Sequence, residues 1–283
     1  MADITLSSAT RSNLLSLQRT TNLIDQTQER LSTGKKVNSA IDDALAFFKA
    51  REYNSNASDL ATIKDNILQG INVIETATQA LESAEDILKQ MKATAEAAKS
   101  EQSDTARGTL ATQYEELATQ LDYMLKDAVF NGINLVGYAD TSEGLRTLEV
   151  SFSLDSASQK LTVAGTNLTS DSAGLAVSGG SVNTTAWSND QSVANSAVTA
   201  IDAALDTVRG KAAEYGRNAA LLEIRKDFTE NMINTLETGA GQLVNADVNA
   251  ESANMLSLQT RQQLGTISLS IAQQSEQSVL RLF

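Results

Sequence analysis

The sequence predicts a mainly α fold, a long antiparallel, coiled-coil-like helical bundle with a small β-rich, hairpin-containing insert in the middle. Three observations predict it. Apolar and small residues recur at alternating steps of three and four over long stretches, the spacing of a helix seam. The chain of 283 residues has no Pro and only 4% aromatic residues, so its bulk comes from Leu, Ile, Val and Ala, which suits helices packed side by side. The helical repeat lapses between about 139 and 192, where Gly, Ser, Thr and Asn dominate.

Taken in order, the first helix is marked by Leu17, Ile24 and Leu31, spaced by seven, with Leu14 beside them and Thr21 and Gln28 in the companion positions. It stops at Gly34, where a residue without a side chain ends a helix readily and Lys35 and Lys36 oppose the negative end of its dipole. Asn38 or Ser39 then caps a helix whose first turn holds Asp42 and Asp43. The longest seam runs through Leu60, Ile63, Ile67, Gly70, Ile74, Ala77, Leu81, Ala84, Leu88, Met91, Ala95 and Ala98. After an interruption at 103–108 a third helix continues through Leu110, Tyr114, Leu117, Leu121, Met124 and Ala128, antiparallel to the second across a short turn.

Phe130-Asn131-Gly132-Ile133-Asn134-Leu135 places a turn-forming Asn-Gly between apolar residues, a hairpin signal. Leu148–Leu154 and Lys160–Val163 alternate polar and apolar residues, as half-buried strands do. Trp187, the single Trp, reads as a packing anchor. A fourth helix starts near Val193 and passes through Ile201, Leu205, Val208, Ala212, Tyr215, Ala219 and Leu222, after which its register slips onto Ile224, Phe228 and Met232 as a stutter would. In the last helix Ala250, Ala253, Leu264, Ile267 and Ile271 mark one stripe, while Leu256, Leu258, Leu269, Val279, Leu280 and Leu282 lie off it. Apolar residues there reach beyond one face, so each chain end needs a partner, either the chain's own central bundle or another molecule.

Composition removes much chemistry. Without His or Cys there is no Ser-His-Asp triad, no thiol nucleophile, no zinc site of the usual kind and no disulfide. The formal charge of -13 opposes binding to phosphate backbones, so no nucleic-acid partner is expected. No stretch approaches the ~18 apolar residues of a membrane span, and Met1 to Thr10 lacks the basic start and apolar run of a cleaved secretory signal. Gly34-Lys35 is not a phosphate loop, because Glu29 stands where its first Gly belongs and neither Ser nor Thr follows Lys35. Asp42 and Asp43 are adjacent and point about 100° apart on a helix, so they do not converge on one atom. No calcium loop occurs. No catalytic residue, cofactor or metal site is expected.

Glu29 to Ala44, reading ERLSTGKKVNSAIDDA, resembles the signature of bacterial flagellins, E-R-L-S-[ST]-G-x-[RK]-[IV]-N-S-A-x-D-D-A, and departs from it at no fixed position. Its motif residues are Asn38, Ser39, Ala40, Asp42 and Asp43. Asn131 and Gly132 belong to a segment similar to the flagellin F-N-G-x-x-L turn. Ser252-Ala253-Asn254-Met255 and Gln262-Gln263-Leu264-Gly265-Thr266 resemble the terminal helix of that family. The likeness covers about 1–138 and 193–283.

This resemblance implies a structural protein and not an enzyme, its bundle built from both chain ends. Residues 1–36 with 243–283 would form the terminal-helix domain of the inner filament core, 37–138 with 193–242 the helical rod with its hairpin, and 139–192 a short variable outer segment. It implies a helical homopolymer made through the two terminal helices, with Leu14, Leu17, Ile24, Leu31, Leu256, Leu264, Ile267, Ile271 and Leu280 as assembly residues. It also implies type III export without a cleaved signal to an extracellular filament for swimming motility, with an export chaperone, the export apparatus, and cap and junction proteins as partners. An innate immune receptor reads many flagellins through a Q-R-V-R-E-L-A-V run. The best match, Lys89 to Glu96, has Ala93 for its Glu and Thr94 for its Leu, so weak recognition is expected.

Two rivals stand beside this reading. A hook-filament junction protein also has helical ends and type III export, and differs in copy number. An enzyme carried in the insert would depend on Asp155, Asp171 or Asp190. Asn167-Leu168-Thr169 and Asn183-Thr184-Thr185 are glycosylation sequons, and the family implies O-linked sugars on the outer segment as an alternative. The charge has an address: 1–36 and 243–283 together carry seven basic and six acidic residues, leaving -14 on 37–242. Acidity belongs to the rod and outer part, and the ends are nearly neutral.

Overall fold

The computed structural model describes residues 8–137, 147–153, 159–178, 184–187 and 190–280. Leu154, Asp155, Asn183 and Leu282 lie outside the described residues, as do the side chains of Val279 and Leu280. The elements are α1 (Ser8–Thr33), α2 (Ala44–Ser100), α3 (Asp104–Asp127), β1 (Leu148–Ser151), β2 (Lys160–Val163), a 3-10 turn (Thr184–Ala186), α4 (Gln191–Val244) and α5 (Val248–Leu280). The fold is thus mainly α with one small sheet, as the seam spacing predicts. The chain divides into two compact units, Met1–Ala57 with Asn234–Phe283, and Ser58–Ile233.

In the larger unit, α2 buries Ile63, Ile67, Ile74, Ala77, Leu81, Ala84, Leu88, Met91, Ala95 and Ala98, the seam read from the sequence. Residues of α3, α4 and the insert join them in one continuous core. Ser103 caps α3 by accepting the Ala106 N–H at 3.4 Å. The buried side of α3 is Arg107, Ala111, Tyr114, Ala118, Leu121 and Leu125, which keeps Tyr114 and Leu121 of the expected stripe and corrects the rest. Leu110, Leu117, Met124 and Ala128 flank it, only partly buried. Hydropathy passes over Arg107, Ala111 and Ala118 on this side because they are charged or small.

On α4 the expected stutter does not occur. Ile224, Phe228 and Met232 are exposed, and the buried stripe continues in unbroken register from Leu222 through Lys226, Thr229 and Ile233, all buried or half-buried. Polar residues occupy the seam because the Thr229 hydroxyl donates to the Arg225 carbonyl at 2.8 Å, and the Lys226 ammonium pairs with Asp227 at 3.3 Å.

The insert is part of the same core. β1 and β2 pair antiparallel, with Leu148 opposite Val163 and Val150 opposite Leu161. Leu148, Val150, Val163, Leu168, Leu175, Val177 and Trp187 are buried with the helices. Val150 rests on Gly70 of α2 so closely that a Cβ there would meet its Cγ2 at 2.5 Å. Arg225 of α4 lies over the Phe152 ring, 4.9 Å from its centre. Trp187 packs on Tyr114 with ring centres 5.0 Å apart, and Arg107 donates from Nε to the Trp187 carbonyl at 2.8 Å and from Nη2 to Asp104. Trp187 is therefore the packing anchor the sequence suggests. The Asn-Gly turn does not join the two strands. It closes on itself directly after α3, Phe130 and Ile133 exchanging both backbone hydrogen bonds at 3.1 and 2.9 Å.

Candidate assembly surface

The smaller unit pairs α1 with α5. On α1 the half-buried side is Asn13, Leu17, Thr20, Ile24 and Leu31, with Thr10 and Thr27 fully buried. Leu17, Ile24 and Leu31 are the heptad read from the sequence. Of the expected companions Thr21 is half-buried and Gln28 is exposed; Asn13, Thr20 and Thr27 also lie on the covered side. Threonine fits such a seam because its hydroxyl can bond within its own helix, as Thr20 does to the Ser16 carbonyl at 2.9 Å.

On α5 the covered side is Met255, Leu258, Gln262, Gly265, Leu269 and Ala272. A Cβ on Gly265 would stand 3.1 Å from Leu17 Cδ1, which places this side against α1. At the far end of the pair Arg30 binds Glu251 at 3.1 Å. The apolar stripe expected to define α5 is the other face: Leu256, Leu264, Ile267 and Ile271 are 69%, 61%, 57% and 62% exposed. Leu14 on α1 is exposed as well. Of the nine residues singled out for assembly, three therefore meet the partner helix of the same chain, five stand out of it, and the Leu280 side chain is outside the description. Gly265, Arg30 and the threonines of α1 escape hydropathy because they are small, charged or hydroxylic. The three-and-four spacing of Met255, Leu258, Gln262, Gly265 and Leu269 was the one signal available for them.

Both helices break at one level. α1 ends at Thr33 with Gly34 at φ 69°, the left-handed stop that its sequence suggests. Lys35 bridges Asn245 antiparallel, the Lys36 and Val37 N–H groups both donate to the Val244 carbonyl at 2.7 and 3.2 Å, and the Ala246 N–H donates to the Gly34 carbonyl at 2.9 Å. Lys36 reaches the Gln242 carbonyl at 3.0 Å, so its cation serves the last turn of α4 and not its own helix.

The motif loop beside this clasp corrects the expected capping. α2 begins at Ala44, and Asp43 is its cap, accepting the Ala46 N–H at 3.0 Å. Asp42 is the acceptor around which the loop winds: it takes the Asn38 N–H at 3.0 Å, the Ser39 N–H at 2.9 Å and the Ser39 hydroxyl at 3.2 Å. Those backbone donors, Ser39 first and Asn38 next, hold its carboxyl below the usual carboxylate range. Asn38 also donates to Glu29 at 3.1 Å, and Ala40 is half-buried. Asp247 repeats the device for α5, accepting from Asn249 and Ala250 at 2.9 and 3.2 Å. The motif acids are thus loop and helix caps. A groove of about 490 Å³ runs past Arg30, Lys36, Asp42, Asp43, Asp247 and Glu251, its charges of both signs. Among the described residues no acidic group of three or more is placed to hold a metal ion.

Asn131 and Gly132 belong to the larger unit and form its exposed turn, at φ 49° and 74°. Asp171 accepts the Gly174 N–H at 2.9 Å and Asp190 the Ser192 N–H at 2.8 Å, so both acids fasten backbone turns. Asn167 turns its oxygen onto the Thr169 hydroxyl at 2.7 Å, and Thr169 is buried. No helix among the described residues is long and apolar enough to cross a membrane.

Residues 4–141 match the model of the bacterial flagellin N-terminal helical region, and 198–283 that of the C-terminal helical region. Flagellin FljM of Caulobacter vibrioides is 34% identical, over 95% of this chain and 94% of its own. A flagellin of Brucella melitensis is 27% identical over 100% and 99%. Among solved structures, a putative flagellar hook-associated protein from Vibrio parahaemolyticus shares the fold with a TM-score of 0.58 at 16% identity, over 72% of this chain and 100% of that one. Two terminal helices paired across a clasp, a capped N-S-A-x-D-D-A loop between α1 and α2, and family likeness along nearly the whole chain agree: the chain belongs to the flagellins.

Proposed function

We propose that this flagellin is the structural subunit of a bacterial flagellar filament, polymerising through its terminal helices to serve swimming motility. The observation that carries the reading is that α5 has two apolar faces and α1 of the same chain covers one. Leu256, Leu264, Ile267 and Ile271 remain in water, an arrangement that costs solubility unless copies of the chain cover them. Burial of such side chains is worth about 1.5–3 kcal/mol each, repeated at every subunit. In this arrangement 1–36 with 243–283 make the inner core of the filament, 37–138 with 193–242 the rod, and 139–192 the outermost part. The exposed α4 stripe of Leu221, Ile224, Phe228 and Met232 supplies a further surface for neighbours.

The chain reaches the outside of the cell by the flagellar export route, with a chaperone, the export apparatus and cap and junction proteins as its partners, and it performs no catalysis. Immune recognition through Lys89 to Glu96 is weak, because Lys89 and Lys92 are paired with Glu85, Asp86 and Asp202 and Thr94 bonds the Gln90 carbonyl of its own helix. A place at the hook-filament junction is the second reading, which the fold shared with a hook-associated protein keeps in view; copies per flagellum separate the two.

The Ile267→Ser, Ile271→Ser double variant tests the assembly face. Both side chains are exposed, so the monomer keeps its circular dichroism, whereas filament growth from seeds, followed by light scattering and electron microscopy, is lost. Normal filaments from this variant would sink the assigned face.

A further inference from the structure

We propose that Asn131 is a self-modifying site, converted to aspartate or isoaspartate whenever the Phe130–Ile133 turn is open and shielded when it is closed. Asn131-Gly132 is the only Asn-Gly step in the sequence. Gly132 has no side chain to crowd its nitrogen, which is the nucleophile. Its lone pair attacks Asn131 Cγ, a bond from Gly132 N to Cγ forms, the bond from Cγ to Nδ2 breaks, and Nδ2 departs as ammonia with the proton that the backbone amide gives up. Water then opens the five-membered succinimide at either carbonyl, leaving aspartate or isoaspartate. Water is the only co-reactant.

The fold decides when this happens. Asn131 and Gly132 are both left-handed, at φ 49° and 74°, and Phe130 and Ile133 exchange two hydrogen bonds, which is a two-residue type I′ turn. The first central residue of such a turn has ψ near about +30°, the mirror image of a type I turn. At that angle the Gly132 nitrogen lies nearly anti to Asn131 Cβ, on the far side of the carbonyl carbon from the side chain. Ring closure needs the two eclipsed. Exposure alone would make this amide reactive, and both residues are exposed, so backbone geometry is what protects it.

The product does not fit the site it came from. Asn131 Nδ2 donates to Gln69 Oε1 of α2 at 3.4 Å, and a carboxylate there loses that bond unless the Gln69 amide turns over to donate. Isoaspartate also adds a methylene to the main chain inside a turn of two residues. A chain modified while unfolded therefore carries a permanent mark of that time, one further negative charge at the end of α3.

Incubating the full-length protein in mildly alkaline buffer, folded and in strong denaturant, and mapping its peptides by mass and isoaspartate content tests this. Asn131 should gain the aspartate mass fastest of all asparagines in denaturant, ahead of Asn38-Ser39 and Asn54-Ser55. In the folded protein its rate should fall about 100-fold, limited by the fraction of time the turn is open. Equal rates in the two conditions would overturn the shielding, and an unmodified Asn131 in denaturant would overturn the site.

Discussion

Tyr114 and Tyr215 bury their rings completely, and each donates its hydroxyl to a backbone carbonyl, Val177 at 2.6 Å and Leu135 at 2.9 Å. Burial raises both pKa values above the ordinary 10, that of Tyr215 to about 12. Between pH 10 and 12 the folded chain thus holds protons that the unfolded chain has released, so stability is fully present below pH 10 and falls as pH rises through that window. Denaturant unfolding followed by Trp187 fluorescence at several alkaline pH values should show the fall. Tyr215→Phe should lessen it, Tyr114 keeping its own share, whereas Tyr123→Phe, at an exposed position, should leave it unchanged. The sequence placed Tyr114 and Tyr215 in seams by spacing alone. It could not show what their hydroxyls bind, because the acceptors lie 63 and 80 residues away along the chain.

At the scale of elements, the hairpin and α2 meet where a side chain is missing. Gly70→Ala gains up to about 1 kcal/mol of helix propensity but drives a methyl to 2.5 Å from Val150 Cγ2, with Leu222 Cδ1 at 3.5 Å, and overpacking of this kind costs about 1–3 kcal/mol. Gly210, also within a helix, has nothing within 4 Å of a built Cβ, so Gly210→Ala collects the propensity gain alone. Thermal melts of the two variants should move in opposite directions, Gly70→Ala down and Gly210→Ala up. Helices with one strongly apolar seam, such as α2, were legible residue by residue. α5 was not: it is apolar on two sides, and spacing cannot tell which side its own chain covers. On α3 and α4 the seam holds Arg107, Thr229 and many alanines, so the eye follows the larger apolar residues to the flank.

For the whole molecule the two compact units differ in how they are held. The larger has a continuous core of Ile, Leu, Val, Met and aromatic side chains, while the smaller rests on a seam in which Asn13, Thr20, Thr27, Gln262 and Gly265 alternate with Leu and Ile. Less apolar area removed from water means cheaper local opening. Amide exchange on the monomer should therefore be markedly faster across α1 and α5 than across the buried seams of α2 and α3, and equal protection of both units would contradict this account.

Arg30 and Glu251 are 221 residues apart in sequence, and the Gly34 carbonyl waits for the Ala246 N–H. During synthesis α1 is made well before α5, so the smaller unit cannot close until α5 has been made. Contacts of such separation also form slowly once the chain is free. Helix α1 is consequently older than the helix it pairs with, and throughout that interval it remains open to whatever else can bind it.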